Sequence, residues 1–207
     1  RTITGATTLN GTTTFDTQTA SVTLSGVVQD GGASSSLVKT GDRTLYLTGA
    51  NTYTGQTTIS GGIVKLGNNA ALGDEVGKTV INGGTLDVNG FRAGVNGNEL
   101  IEVQGTGANG QGAIVNTGGS KTDALRRVTL TGDATFNSGS RFDIRNSGGD
   151  ATFDMNGFTL TKTGGSELCL VSTAVVNPGD VNVNQGIFRI EGATDFDGGR
   201  TITLAGG

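Results

Sequence analysis

The chain has 207 residues, of which 38 are Gly and 33 are Thr, so two small residue types make up a third of it. Its net charge is -4, only 15% of its residues are charged, and it contains no His and a single Cys. That composition excludes a basic stripe for nucleic-acid phosphates, a His-based catalytic triad and an internal disulfide. Leu, Ile, Val and Phe number 50, enough apolar side chain to build a core. No apolar run approaches the length of a membrane span. No signal-peptide pattern opens the sequence, so none exists or it was removed upstream of this numbering.

Taken in chain order, the sequence is a succession of strand-like pieces of four to six residues, divided by Gly, Asn-Gly or Gly-Gly. "RTIT" at Arg1 is followed by "TFDTQTASVTLSG" from Thr14, then "KTGDRTLYL" from Lys39, "TTIS", and "GGIVKLG" from Gly61. "NNAALGDEVGK", Asn68 to Lys78, holds the one helix-compatible piece and reads as a one-turn helix or a loop. "GGTLDVNG" from Gly83 repeats the Gly-Gly strand, and the Gly/Asn-rich stretches within Phe91 to Gly112 read as corner loops. "RRVTLTGDATFN" from Arg126, "RFDIR", and "TFDMNGFTLTKTG" from Thr152 follow. "KTGGSELCL" from Lys162 and "QGIFRIEG" from Gln185 then echo Lys39 and Gly61 in the same order, Pro178 marks a turn, and "RTITL" closes the chain at Arg200.

Six Asn-Gly pairs, at Asn10, Asn82, Asn89, Asn96, Asn109 and Asn156, would favour antiparallel hairpins. The same dipeptide also suits the left-handed corner of a β-solenoid. The ordered long-period echo decides between them, because a sandwich gives no reason for coil-length repetition and a solenoid requires it. The expected fold is all-β, one parallel solenoid over residues 1–207 with roughly seven to nine coils, its best repeat copies at 37–73 and 160–192. Alternation places Leu45, Leu47, Val64, Leu66, Leu168, Leu170, Phe188 and Ile190 inward and Tyr46 and Lys65 outward. Thr rows on the outward faces are expected to hydrogen-bond along the stack.

"LVKTGDRTLYLTGANTYTGQTTISGGIVKLGNNAALG", Leu37 to Gly73, resembles the autotransporter-associated β-strand repeat of bacterial passenger domains. Lys39, Gly41, Leu45, Leu47, Asn51, Tyr53, Gly55, Thr57, Gly61 and Gly62 carry that resemblance. The copy from Lys162 departs from it, with no counterpart of Tyr53 and "VVNPGDVNVN" in place of "NTYTGQTTIS". The resemblance implies a right-handed single-stranded parallel β-helix displayed on, or exported through, a bacterial outer envelope. It implies no ligand.

Some parallel β-helices are polysaccharide lyases or hydrolases, whose sites gather carboxylates with Arg, Lys or His. The candidates here are Asp143, Asp150 and Asp154 with Arg141 and Arg145. "RFDIR" and "TFDM" could set Asp143 and Asp154 on adjacent coils, although both read more simply as solvated outward positions. "TDFDGGR", through Asp195 to Arg200, is acidic but lacks the tandem calcium-binding nonapeptide. Cys169 reads as a small buried hydrophobe or an edge-facing thiol. The chain is therefore expected to be a structural or adhesive module, extracellular or on the bacterial cell surface, with no enzymatic activity and no cofactor or metal. A carbohydrate-active enzyme is the alternative. The expected partners are a host or matrix surface and, because "RTIT" stands at both ends, neighbouring coils or a second copy stacked end to end.

Overall fold

The computed structural model describes residues 1–146, 148, 150–194, 196 and 200–204. All pairings between its strands are parallel, as coil-to-coil stacking demands. The chain winds into a β-solenoid of about nine turns. Register partners stand 19 residues apart from Leu45 to Val64 and 28 apart from Leu86 to Ile114, so coil length varies while the stacking does not.

Three faces recur in each turn. One inward column of the first face runs through Val22, Leu45, Val64, Leu86, Ile114, Phe136, Lys162, Val183 and Leu204. A column of the second face runs through Thr13, Leu37, Thr57, Thr79, Ile101, Val128, Phe153 and Val175. The third face is regular in its later coils, where Leu125, Ile144, Leu170 and Ile190 align. Each interior position thus rests on its equivalent one coil away, about 4.8 Å distant. The apolar columns form one continuous core.

The corners explain the Asn-Gly pairs. All six glycines that follow those asparagines have positive φ, from 65° at Gly11 to 98° at Gly83. Asn89, Asn109 and Asn156 are left-handed as well. The dipeptide here turns the chain from one face to the next, which L residues other than Asn do at a cost.

Leu45, Leu47, Val64, Leu66, Leu168 and Leu170 are buried as alternation requires. Phe188 and Ile190 depart from expectation: Phe188 is half-buried and Ile190 is 40% exposed. Their phase is correct, since they lie in register with Leu168 and Leu170. Among the described residues no strand stacks on Ile187–Glu191 from the far side, and Phe196 alone packs a ring on Phe188, 6.1 Å between centroids.

Outward Thr hydroxyls bond along the stack, to backbone carbonyls of the neighbouring coil, as Thr48 does to Leu24 and Thr163 to Phe136, and to side chains, as Thr131 does to Gln104. Residues 68–77 contain no helix and form turns, closed by Ala71 N–H on the Asn68 carbonyl. The single short helix among the described residues is a 3-10 turn, Ala108–Gly110, inside the stretch read as corner loops. That stretch also holds the strand Leu100–Gly105.

Candidate functional site

The residues of the repeat signature converge on two buried lysines. Lys39 ends an alternating strand, Ser36–Thr40, whose inward positions are Leu37 and Lys39. Its side chain is fully buried, and its ammonium donates to the carbonyls of Thr40, Gly41 and Gly61 at 2.7, 2.8 and 2.9 Å. Three donors meet three acceptors, two from its own corner and one from the next coil. Lys162 is equally buried and donates to Thr163, Gly164 and Gln185 at 2.8, 2.8 and 2.9 Å.

The likeness extends to the coil before. Thr17 N–H and Ser138 N–H each donate at 3.0 Å to the carbonyl after the lysine, Thr40 or Thr163. Thr17 Oγ1 and Ser138 Oγ then reach the carbonyl four residues past the lysine, Arg43 at 2.8 Å and Ser166 at 2.9 Å. A Cβ on Gly41 or Gly164 would meet the side-chain oxygen of Asp16 or Asn137 at 2.4 or 2.3 Å. A Cβ on Gly62 or Gly186 would lie 2.3 Å from the Gly41 or Gly164 carbonyl, and both glycines have positive φ. The clasp therefore joins three successive coils through one ammonium, one hydroxyl and two obligatory glycines. Burial pushes both ammonium groups down to about 8, and Asp16 and Asp42 work against that shift at Lys39.

The remaining signature residues serve the same stack. Leu45 and Leu47 are fully buried on the first face. Asn51 accepts from Val28 N–H at 2.8 Å and donates to the Ala71 carbonyl at 2.6 Å, tying three coils with one amide. Buried Tyr53 shares a 2.7 Å hydrogen bond with Thr57 Oγ1. A Cβ on Gly55 would strike the Ser35 carbonyl at 2.4 Å. Gly61 is needed less for space, since its Cβ would find no atom nearer than 3.4 Å.

By sequence, "TFDTQTASVTLSG" from Thr14 echoes "TFDMNGFTLTKTG" from Thr152, but Phe15 lies beside Lys39 and Phe136 beside Lys162. The structural counterpart of Thr14–Thr17 is therefore Thr135–Ser138. Moreover, Lys39 stands on the second face and Lys162 on the first, so the two copies are a third of a turn out of phase.

The acidic candidates do not gather. Asp143 is not a solvated position: it is fully buried, and both its oxygens accept from Arg141, at 2.8 and 2.9 Å. Arg141 also reaches Glu167, and Glu167 accepts from Arg189, which makes a charge ladder along the third face. Asp154 belongs to Ala151–Asp154, the next strand of the same coil on the second face, not to an adjacent coil beside Asp143. It accepts from Asn156 N–H and Asn177 Nδ2 as a corner turn. Asp150 is exposed and paired with Arg126. Arg145 makes no ion pair among the described residues and lines a recess with Arg126. Asp195 and Asp197, in "TDFDGGR", lie outside the described residues. Cys169 is fully buried beside Asp143, and burial first, then that carboxylate, push its thiol up to about 12, which rules out a ready thiolate.

Sequence reading missed the buried lysines, although Lys39 sits at the inward phase of Leu37. It also missed Glu99, which is 2% exposed beneath the second face. One Glu99 oxygen accepts from Thr79 Oγ1 at 2.8 Å and the other has no partner among the described residues. Burial, more than the nearby Glu75 and Asp74, raises its carboxyl to about 7.

Residues 37–66 match the family model of the passenger-associated transport repeat. Over 120 residues, 51% of this chain, the sequence is 34% identical to the adhesin BmaC autotransporter of Brucella suis biovar 1 (strain 1330). The matched part is 4% of that protein's length. No solved structure matches the chain. Lys39, Gly41, Arg43, Gly61 and Gly62 of the first clasp thus lie within the residues that match the passenger-associated transport repeat.

Proposed function

We propose that residues 1–207 are one segment of a bacterial surface passenger, a structural or adhesive module that presents its solenoid sides to a host or matrix surface. The observation that supports this most is the passenger-repeat match at residues 37–66, which coincides with a clasp whose every part serves stacking. The partly matching relative is an adhesin by name, which points the same way. In this reading the signature residues Lys39, Gly41, Leu45, Leu47, Asn51, Tyr53, Gly55, Thr57, Gly61 and Gly62 hold the rod rather than touch a ligand, and the module carries out no reaction. The location that follows is extracellular or on the cell surface. End-to-end stacking of coils or copies belongs to the same proposal, since parallel strands stack coil on coil throughout the described residues.

The test is attachment. Beads coated with the chain should adhere to extracellular-matrix coatings above the level of beads coated with a heat-unfolded sample. Equal attachment of the two would overturn the adhesive reading. Turnover of plant, bacterial or host polysaccharides, abolished by Asp154→Ala, would overturn the non-catalytic one. Concentration-dependent sedimentation is expected from stacking, and a strictly monomeric chain at high concentration would remove it.

A further inference from the structure

Where the third face turns toward the second, three successive coils place Arg92, Arg126 and Arg145 around one recess of about 260 Å³, with Asn96, Thr122 and Asn146 on its walls. The ion pairs around it do not neutralise it. Asp123 is shared by Arg92 at 3.1 Å and Lys121 at 2.8 Å, and Asp150 is held by Arg126. Three arginines and one carboxylate, Asp123, therefore line the recess, with Glu75 held behind it by Asn96, on a chain whose net charge is -4. Arg145 has no carboxylate partner among the described residues. The Nε–H of Arg126 is buried and finds no acceptor among them. An unpaired buried guanidinium donor is costly unless a ligand or solvent completes it.

We infer that this recess binds a carboxylate or sulfate group of an acidic glycan. Planar guanidinium forks suit such anions bidentately, and the amide and hydroxyl groups beside them can hydrogen-bond sugar hydroxyls. The coils bring the three arginines together although 53 residues separate Arg92 from Arg145, so no local motif announces the site. The glycan source rests on the adhesive reading above, while anion capture rests on the recess alone.

Binding of the 207-residue chain to three fluorescent oligosaccharides tests this: a sulfated heparin fragment, a carboxylate-only oligogalacturonate and a neutral dextran fragment. At least one acidic probe should bind, and the neutral one should not. Whichever acidic probe binds identifies sulfate, carboxylate or either as the anion. Arg145→Ala removes a side chain with no structural ion pair and should weaken binding about tenfold, the loss of one charged hydrogen bond. Arg43→Ala, at the distant Lys39 corner, should leave it unchanged. Failure of both acidic probes, equal binding of dextran, or equal losses in the two variants would overturn the site. Bead attachment to matrix that survives Arg145→Ala, with acidic binding lost, would remove the glycan as the adhesive partner while leaving the anion site standing.

Discussion

Lys39 and Lys162 make three equivalent contacts at distances of 2.7–2.9 Å, yet one stands on the second face of the solenoid and the other on the first. Their inner neighbours differ accordingly. Phe15 and Ile59 flank Lys39, while Phe136 and Val183 flank Lys162. The clasp is thus a property of a corner and not of a face: wherever Lys-Thr-Gly ends a strand and a Gly begins the strand above, the ammonium fills the corner. A repeat of this kind tolerates slippage by a third of a turn because each corner supplies the same carbonyl geometry.

The largest expected effect is loss of the ammonium. Thr40 and Thr163 keep a backbone N–H partner when the lysine is replaced, but Gly41 and Gly61, or Gly164 and Gln185, lose the donor that satisfies them. Lys39→Met and Lys162→Met should each cost about 2–4 kcal/mol, since a buried acceptor left unpaired costs roughly 1–3 kcal/mol. Chemical denaturation of the two variants measures this. Equal losses would support the corner interpretation, and a large loss at one with none at the other would break the comparison.

Smaller effects are expected at the glycines. Gly62→Ala places a Cβ against the Gly41 and Arg43 carbonyls, at 2.3 and 2.5 Å, and Gly186→Ala against Gly164 and Ser166 at the same distances. With positive φ added, each should cost about 1–3 kcal/mol. Gly61→Ala, with 3.4 Å of clearance and φ outside the left-handed region, should be nearly neutral. Thermal melts of the three variants sharpen the clasp model if Gly61→Ala alone stays near the parent, and break it if all three behave alike.

Much of this fold was legible because its signals are local. Alternation in "TLYLT" and "IVKL" needs no knowledge of the neighbouring coil, and Leu45, Leu47, Val64 and Leu66 lie where it puts them. The Gly-Gly and Asn-Gly corners were legible for the same reason. What escaped depends on the coil above or below. Ile190 has the correct phase and remains exposed because its cover, not its own strand, decides burial. Lys39 is polar by type and interior by position, and only the carbonyls of Thr40, Gly41 and Gly61 reconcile the two. Asp143 was misplaced because the Arg141 that buries it lies two residues earlier, on the same side of the strand. The Arg92–Arg126–Arg145 recess gathers three coils, and coil lengths between 19 and 29 residues hide such a column from any fixed period.

A last contrast sets the satisfied lysines against half-satisfied Glu99 through pH. Glu99 is raised from 4.5 to about 7, so between those values the folded chain keeps a proton that the unfolded chain releases. Its contribution to stability is complete below pH 4.5 and is lost as pH rises through 7. The lysines are lowered from 10.5 to about 8, so the folded chain gives up protons first. Stability from them rises as pH rises above 8. The neutral amine offers one N–H fewer to the three carbonyls, which tempers the rise to about 1 kcal/mol for the pair between pH 8 and 9. Above pH 9 Cys169, held near 12, works in the opposite sense and ends the clean window. Stability should therefore pass through a shallow minimum between pH 7 and 8, measured by urea denaturation across pH 5 to 9. Glu99→Gln should flatten the acid side alone, and Lys162→Met should lessen the alkaline rise alone. A parent curve with no minimum, or an acid side unchanged by Glu99→Gln, would show that the buried carboxylate and the buried ammonium groups do not differ in the way their partners require.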